Sequence, residues 1–133
     1  MKLENQIVSL ELAKRLKELG CKQDSIFKWH SKLDEKGNRV YTEIVYLPIK
    51  QMEQDYSAFT SSELGEMLPL DVEGVKLHIH REKGLDSWDV SYNTDAGNTL
   101  DEIWEQAESE ANARAKMLIW LIENKMMEVW SEY

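Results

Sequence analysis

Two histidines two residues apart, His78 and His80, precede Asp89 in the stretch VKLHIHREKGLDSWDVSY. Side chains at i and i+2 of a strand point the same way, so imidazole and carboxylate groups at this spacing are candidate zinc ligands. Zinc needs three or four ligands in a tight cluster, and His30 completes the set only if its own strand lies alongside. The same stretch also reads as a β-hairpin turning at Lys83–Asp86. Leu77 then faces Tyr92, Ile79 faces Val90 and Arg81 faces Trp88, an apolar face that closes without the histidines. On the outer face His80 opposes Asp89 and His78 opposes Ser91. The expectation is a solvated His80–Asp89 pair, with His78, His80 and Asp89 kept as weak metal candidates.

Other chemistry is thin. Cys21 is the one cysteine, and it follows Gly20 where a helix cap is wanted; a catalytic thiol needs a neighbouring base. There is no glycine-rich phosphate loop, no GxSxG and no HExxH. Glu102, Glu105 and Glu108 form a run of acids expected to be a solvated face. No cofactor is expected.

Charge is more informative. The net charge is −9, but residues 1–50 carry ten Lys/Arg against seven Asp/Glu, while residues 51–133 carry six against eighteen. No basic residue lies between Lys50 and Lys76. The acids of that interval, with Glu53, Asp55, Glu63 and Glu66 foremost, are a candidate surface for a basic protein partner. Such a surface repels phosphates and disfavours direct nucleic-acid binding. The single cysteine suits a reducing compartment. Glu4 and Gln6 interrupt the apolar run that a signal peptide would need, and no window approaches the ~20 apolar residues of a membrane span. A cytoplasmic location, with no membrane, is expected.

The positioning elements follow from periodicity. Ser9 and LELAKRLKELG make a capped amphipathic helix over 9–19. Period two over 25–48, around the turn DEKGN, makes a hairpin in which Leu33 meets Val40, Trp29 meets Ile44 and Phe27 meets Tyr46. Its other face is not cleanly polar, which implies a partial cover. A loop over 49–60 leads to a short helix over 61–68, stopped by Pro69. The second hairpin spans 75–93. Asn98 or Thr99 then caps a helix over 100–125, with acids in its first turns and Leu100, Ile103, Ala107, Ala111, Leu118 and Ile122 at helical spacing.

The order α-β-β-α-β-β-α predicts one α+β domain, with a largely antiparallel sheet of about four strands packed by helices. At 133 residues the chain buries roughly two thirds of its unfolded surface. A 26-residue last helix would be roughly 39 Å long in a domain whose radius of gyration is about 14 Å. It must span the domain or project from it, and the apolar tail 126–133, with Met127 and Trp130, is therefore expected to support a homodimer.

Three blocks, SLELAKRLKELGCKQDSIFKW, SSELGEMLP and ANARAKMLIWLIEN, resemble in sequence and order a group of small proteins encoded in bacteriophage and prophage genomes. The resemblance implies a bacterial or phage origin and an accessory role in the host cell. It brings no activity, ligand or catalytic residue. The expected function is binding of another macromolecule without catalysis; one specific form is an acidic inhibitor of a host nucleic-acid-binding protein. The rival is a metal-binding protein or small enzyme built on the outer face of the second hairpin.

Overall fold

The computed structural model describes residues 3–46, 54–72, 74–81, 87–93 and 99–127. After a 3-10 turn at Leu3–Asn5, the elements are α1 (Leu10–Glu18), β1 (Phe27–Leu33), β2 (Arg39–Tyr46), β3 (Tyr56–Ser57), α2 (Ser61–Met67), β4 (Asp71–Val72), β5 (Val75–Arg81), β6 (Trp88–Asn93), β7 (Thr99–Ala107) and α3 (Glu110–Glu123). The α+β class is as expected. The strands divide into two antiparallel sheets, ordered β2-β1-β3 and β4-β5-β6-β7.

The helix starts follow their caps. Ser9 Oγ accepts from Leu12 N, and Thr60 and Glu63 form a reciprocal capping box at α2. Gly20 ends α1 in the left-handed conformation (φ 92°), with Cys21 N donating to Leu16 O and Gly20 N to Lys17 O. The same hydrogen-bond pattern ends α3, where Met126 N reaches Leu121 O and Lys125 N reaches Ile122 O; there the left-handed residue is Lys125 (φ 58°).

The main departure from the sequence reading lies at 99–107. TLDEIWEQA is strand β7 rather than the opening turns of the last helix, which begins at Glu110 with Ser109 as its cap. Leu100, Ile103 and Ala107 fit helical spacing. Ile103, Glu105 and Ala107 also alternate with Trp104 and Gln106, and pairing with β6 satisfies the backbone in that second arrangement. Only a neighbouring strand could decide between the two arrangements. The 14-residue α3 is then roughly 21 Å long, so the argument for a projecting helix does not hold. Met126 and Met127 turn back to pack against the chain's own core; Trp130 lies outside the described residues.

α3 buries Ala111, Ala113, Ala115, Met117, Leu118, Ile119 and Leu121. It packs against α1, α2, β6 and β7, which accounts for a helix apolar on nearly every side. Asn112 joins two helix starts, because its Oδ1 accepts from Ser9 N at 2.8 Å. The core continues through Val75, Val90, Tyr92 and Ile103 of the larger sheet, and Tyr92 donates its hydroxyl to Pro69 O at 2.8 Å.

The second hairpin has the expected register throughout: Leu77–Tyr92, Ile79–Val90, Arg81–Trp88, His80–Asp89 and His78–Ser91. In the first hairpin Phe27–Tyr46 and Trp29–Ile44 pair as expected, but an irregularity between His30 and Lys32 shifts the rest. Leu33 faces Arg39 rather than Val40 and is 62% exposed, so the hairpin tip leaves the core. α1 packs beside β3, with Lys14 and Lys17 over Tyr56, which pairs with Trp29 and so belongs to the apolar face; on the hairpin's other face Lys28 is buried.

Candidate functional site

Alternation divides the β4–β7 sheet into two faces. Val75, Val90, Tyr92 and Ile103 belong to the buried core shared with α3. Lys76, His78 and His80, together with Asp89, Ser91, Trp104 and Gln106, fall on the opposite face by strand alternation and register. Two rows cross it, His78–Ser91–Trp104 and His80–Asp89–Gln106. Trp104 is 46% exposed, while Ser91 between the outer two residues of its row is buried. Gln106 Nε2 donates to Ser87 Oγ. Asp89 Oδ1 is enclosed by protein and has no hydrogen-bond partner among the described residues. This face therefore offers an aromatic plane, two imidazoles and an amide on paired strands, with the Asp89 Oδ1 acceptor enclosed beneath them.

The sequence located three members of the face, His78, His80 and Asp89. It missed Trp104 and Gln106, because reading 100–125 as helix removed them from the sheet. The available signal was Ser109, a residue suited to capping a helix that starts later; I-W-E-Q-A itself does not alternate apolar with polar residues.

The metal reading does not gain from the geometry. Among the described residues no group of three or more His, Cys, Asp or Glu could hold an ion. His30 cannot join His78 and His80, because it belongs to the other sheet, where its Nδ1 lies 3.0 Å from Asp55 Oδ1.

The acidic interval does not form one surface. Asp55 is 0% exposed, paired with His30, and its carbonyl accepts from Lys17 Nζ at 2.8 Å. A buried carboxylate held against an imidazole is inaccessible to a partner. Glu63 is occupied as well: Oε1 accepts from Thr60 N (2.9 Å) and Ser25 Oγ (2.7 Å), and Oε2 from Ile26 N (3.1 Å). Glu66 is exposed, and Glu53 lies outside the described residues.

Cys21 is buried, and burial pushes its thiol up to about 11, the opposite of what a thiolate nucleophile requires. A hollow of about 480 Å³ lies between α1, β7 and α3, with Leu12, Ile119 and Trp120 among its apolar lining and Glu11, Glu105 and Lys116 among its charges. Partial burial raises the Glu105 carboxyl above its ordinary range, against the opposing effect of Lys116. No described helix is long and apolar enough to cross a membrane. Compared with known proteins, the chain matches no family model, no curated protein and no solved structure.

Proposed function

We propose that this protein works by binding another macromolecule, without chemistry of its own, through the open face of the β4–β7 sheet. The observation that carries the reading is Trp104: a large aromatic half exposed on a strand whose other face is closed by the core. Tryptophan gains more than most residues from being covered, and it dominates the interfaces in which it takes part. Around it stand His78, His80, Asp89 and Gln106, groups suited to orienting a partner by hydrogen bonds. The inert Cys21 thiol supports a role without catalysis, and the likeness of three sequence blocks to phage and prophage proteins supports a partner in a bacterial host cell.

The test is affinity capture from a bacterial lysate with wild-type protein and with Trp104→Ala. A specific partner held by the wild type and lost by the variant, at unchanged unfolding midpoint, is the expected result. A partner held equally by both would move the recognition surface elsewhere on the molecule.

A further inference from the structure

The larger sheet has unequal edges. On one side β4 has two residues; on the other β7 has nine, paired in regular register with β6 over Trp104–Ala107 and irregular from there back to Thr99. Among the described residues no strand pairs with β7 on the side away from β6. Natural sheets blunt such edges, since a row of open N–H and C=O groups is a template for another chain. Here the blunting is slight, and it has a particular chemistry: Lys116 Nζ donates to Gln106 O at 3.0 Å, placing an ammonium group on a carbonyl of the strand.

We infer that β7 takes an extended, lysine- or arginine-rich segment of a protein partner as an added strand of the sheet. This rests on the reading of the open face as the recognition surface, because alternate side chains of an added strand would stand beside Trp104 and Gln106. Charge selects the occupant. TLDEIWEQA carries Asp101, Glu102 and Glu105 and no basic residue. Glu108 follows, as does Glu110, which is bridged to Arg114, and the neighbouring hollow sets Glu11, Glu18, Glu105 and Glu123 against Lys14, Arg15 and Lys116. The same charges disfavour a second copy of this chain. Two copies of β7 bring acids to both sides of the pair, and in the register centred on Ile103 position 101 stands opposite position 105 twice, acid against acid, which destabilises a cross-strand pair. A partner strand with lysine or arginine at alternate positions meets complementary charge at Asp101, Glu102 and Glu105.

The probe is a nine-residue peptide alternating Lys and Val, followed by backbone amide NMR on the full chain. Three controls are an alternating Glu and Val peptide, the Lys peptide N-methylated at alternate residues, and the Lys peptide in high salt. The expected result is saturable amide shifts concentrated at 99–107, at least a fivefold loss of affinity between 50 and about 500 mM salt, and no binding by the Glu or N-methylated peptides. Equal binding by the N-methylated peptide would show attraction by charge alone and overturn the strand addition. Shifts centred on Glu66 and Asp71, or unaffected amides at 99–107, would overturn it too. So would a full-length chain whose β7 amides are protected by dimerisation in light scattering and hydrogen exchange. If the Lys peptide leaves 99–107 untouched while Trp104→Ala still abolishes partner capture, the open face remains the recognition surface and the edge inference alone falls.

Discussion

Glu63 provides the sharpest test of whether the acids of 53–73 serve a partner or the fold. Its carboxylate receives three donors from two segments: Thr60 N within α2's capping box, and Ser25 Oγ and Ile26 N at the entrance to β1. It thus fastens the start of a helix to the start of a strand 38 residues away in sequence. Hydrogen bonds to an ionised acceptor are worth about 1.5–3 kcal/mol each, but water can take over a released backbone N–H at the surface. Ile26 is exposed, and the Ser25 hydroxyl can turn to Ala58 O at 3.2 Å. Allowing for those replacements, and for the loss of half a capping box, Glu63→Ala should destabilise by about 2–3 kcal/mol. For a chain of this size that lowers Tm by roughly 6–12 °C. Glu63→Gln, which keeps one acceptor oxygen, should lose about 1 kcal/mol. Glu66→Ala, on an exposed side chain of the same helix, should stay within about 0.5 kcal/mol of wild type. The assay is urea unfolding followed by tryptophan fluorescence at fixed pH and salt. A Glu63→Ala curve superimposed on that of Glu66→Ala would refute the reasoning and return Glu63 to the accessible acidic surface.

Three further outcomes follow from local geometry. Lys125 holds a left-handed conformation that costs a side-chain-bearing residue about 1 kcal/mol, so Lys125→Gly should raise stability by about 0.5–1 kcal/mol, whereas Gly20→Ala, at the equivalent position of α1, should lower it by about 1 kcal/mol in the same urea assay. The Cys21 thiol, raised from 9.0 to about 11, stays protonated in the folded chain while the unfolded chain ionises; its contribution to stability is intact below pH 9 and lost as pH rises through 11, about 2 kcal/mol in all. Cys21→Ala should flatten the unfolding free energy measured between pH 9 and 10, and an unchanged slope there would contradict the assignment. Elemental analysis of purified protein should find no stoichiometric transition metal; zinc that disappears in His78→Ala would restore the metal reading of the second hairpin.

Local signals carried much of the architecture. The cap at Ser9, the left-handed Gly20, the stop at Pro69 and the two-residue alternation of 75–92 act within a few residues, so α1, α2 and the β5–β6 register were legible from spacing alone. The candidate site was legible in part for the same reason: His78, His80 and Asp89 share a face because strand alternation makes them share it. Asp55 was misread as surface because its sequence neighbours are polar, while its burial comes from β1 and α1, distant in sequence.

What the sequence determined by itself was therefore the α+β class, the outward histidines and the absence of a cysteine pair. The tertiary structure alone decided that 99–107 is a strand. Its apolar residues fit helical spacing, and only β6, by supplying the hydrogen-bonding partner, selects the extended form. That choice shortens α3, turns Met126 and Met127 onto the core, and sets Trp104 beside the histidines on the open face. β6 and β7 are consecutive in the chain, but their pairing acts through backbone hydrogen bonds that no side-chain pattern within 99–107 records, and it is this pairing that builds the candidate site.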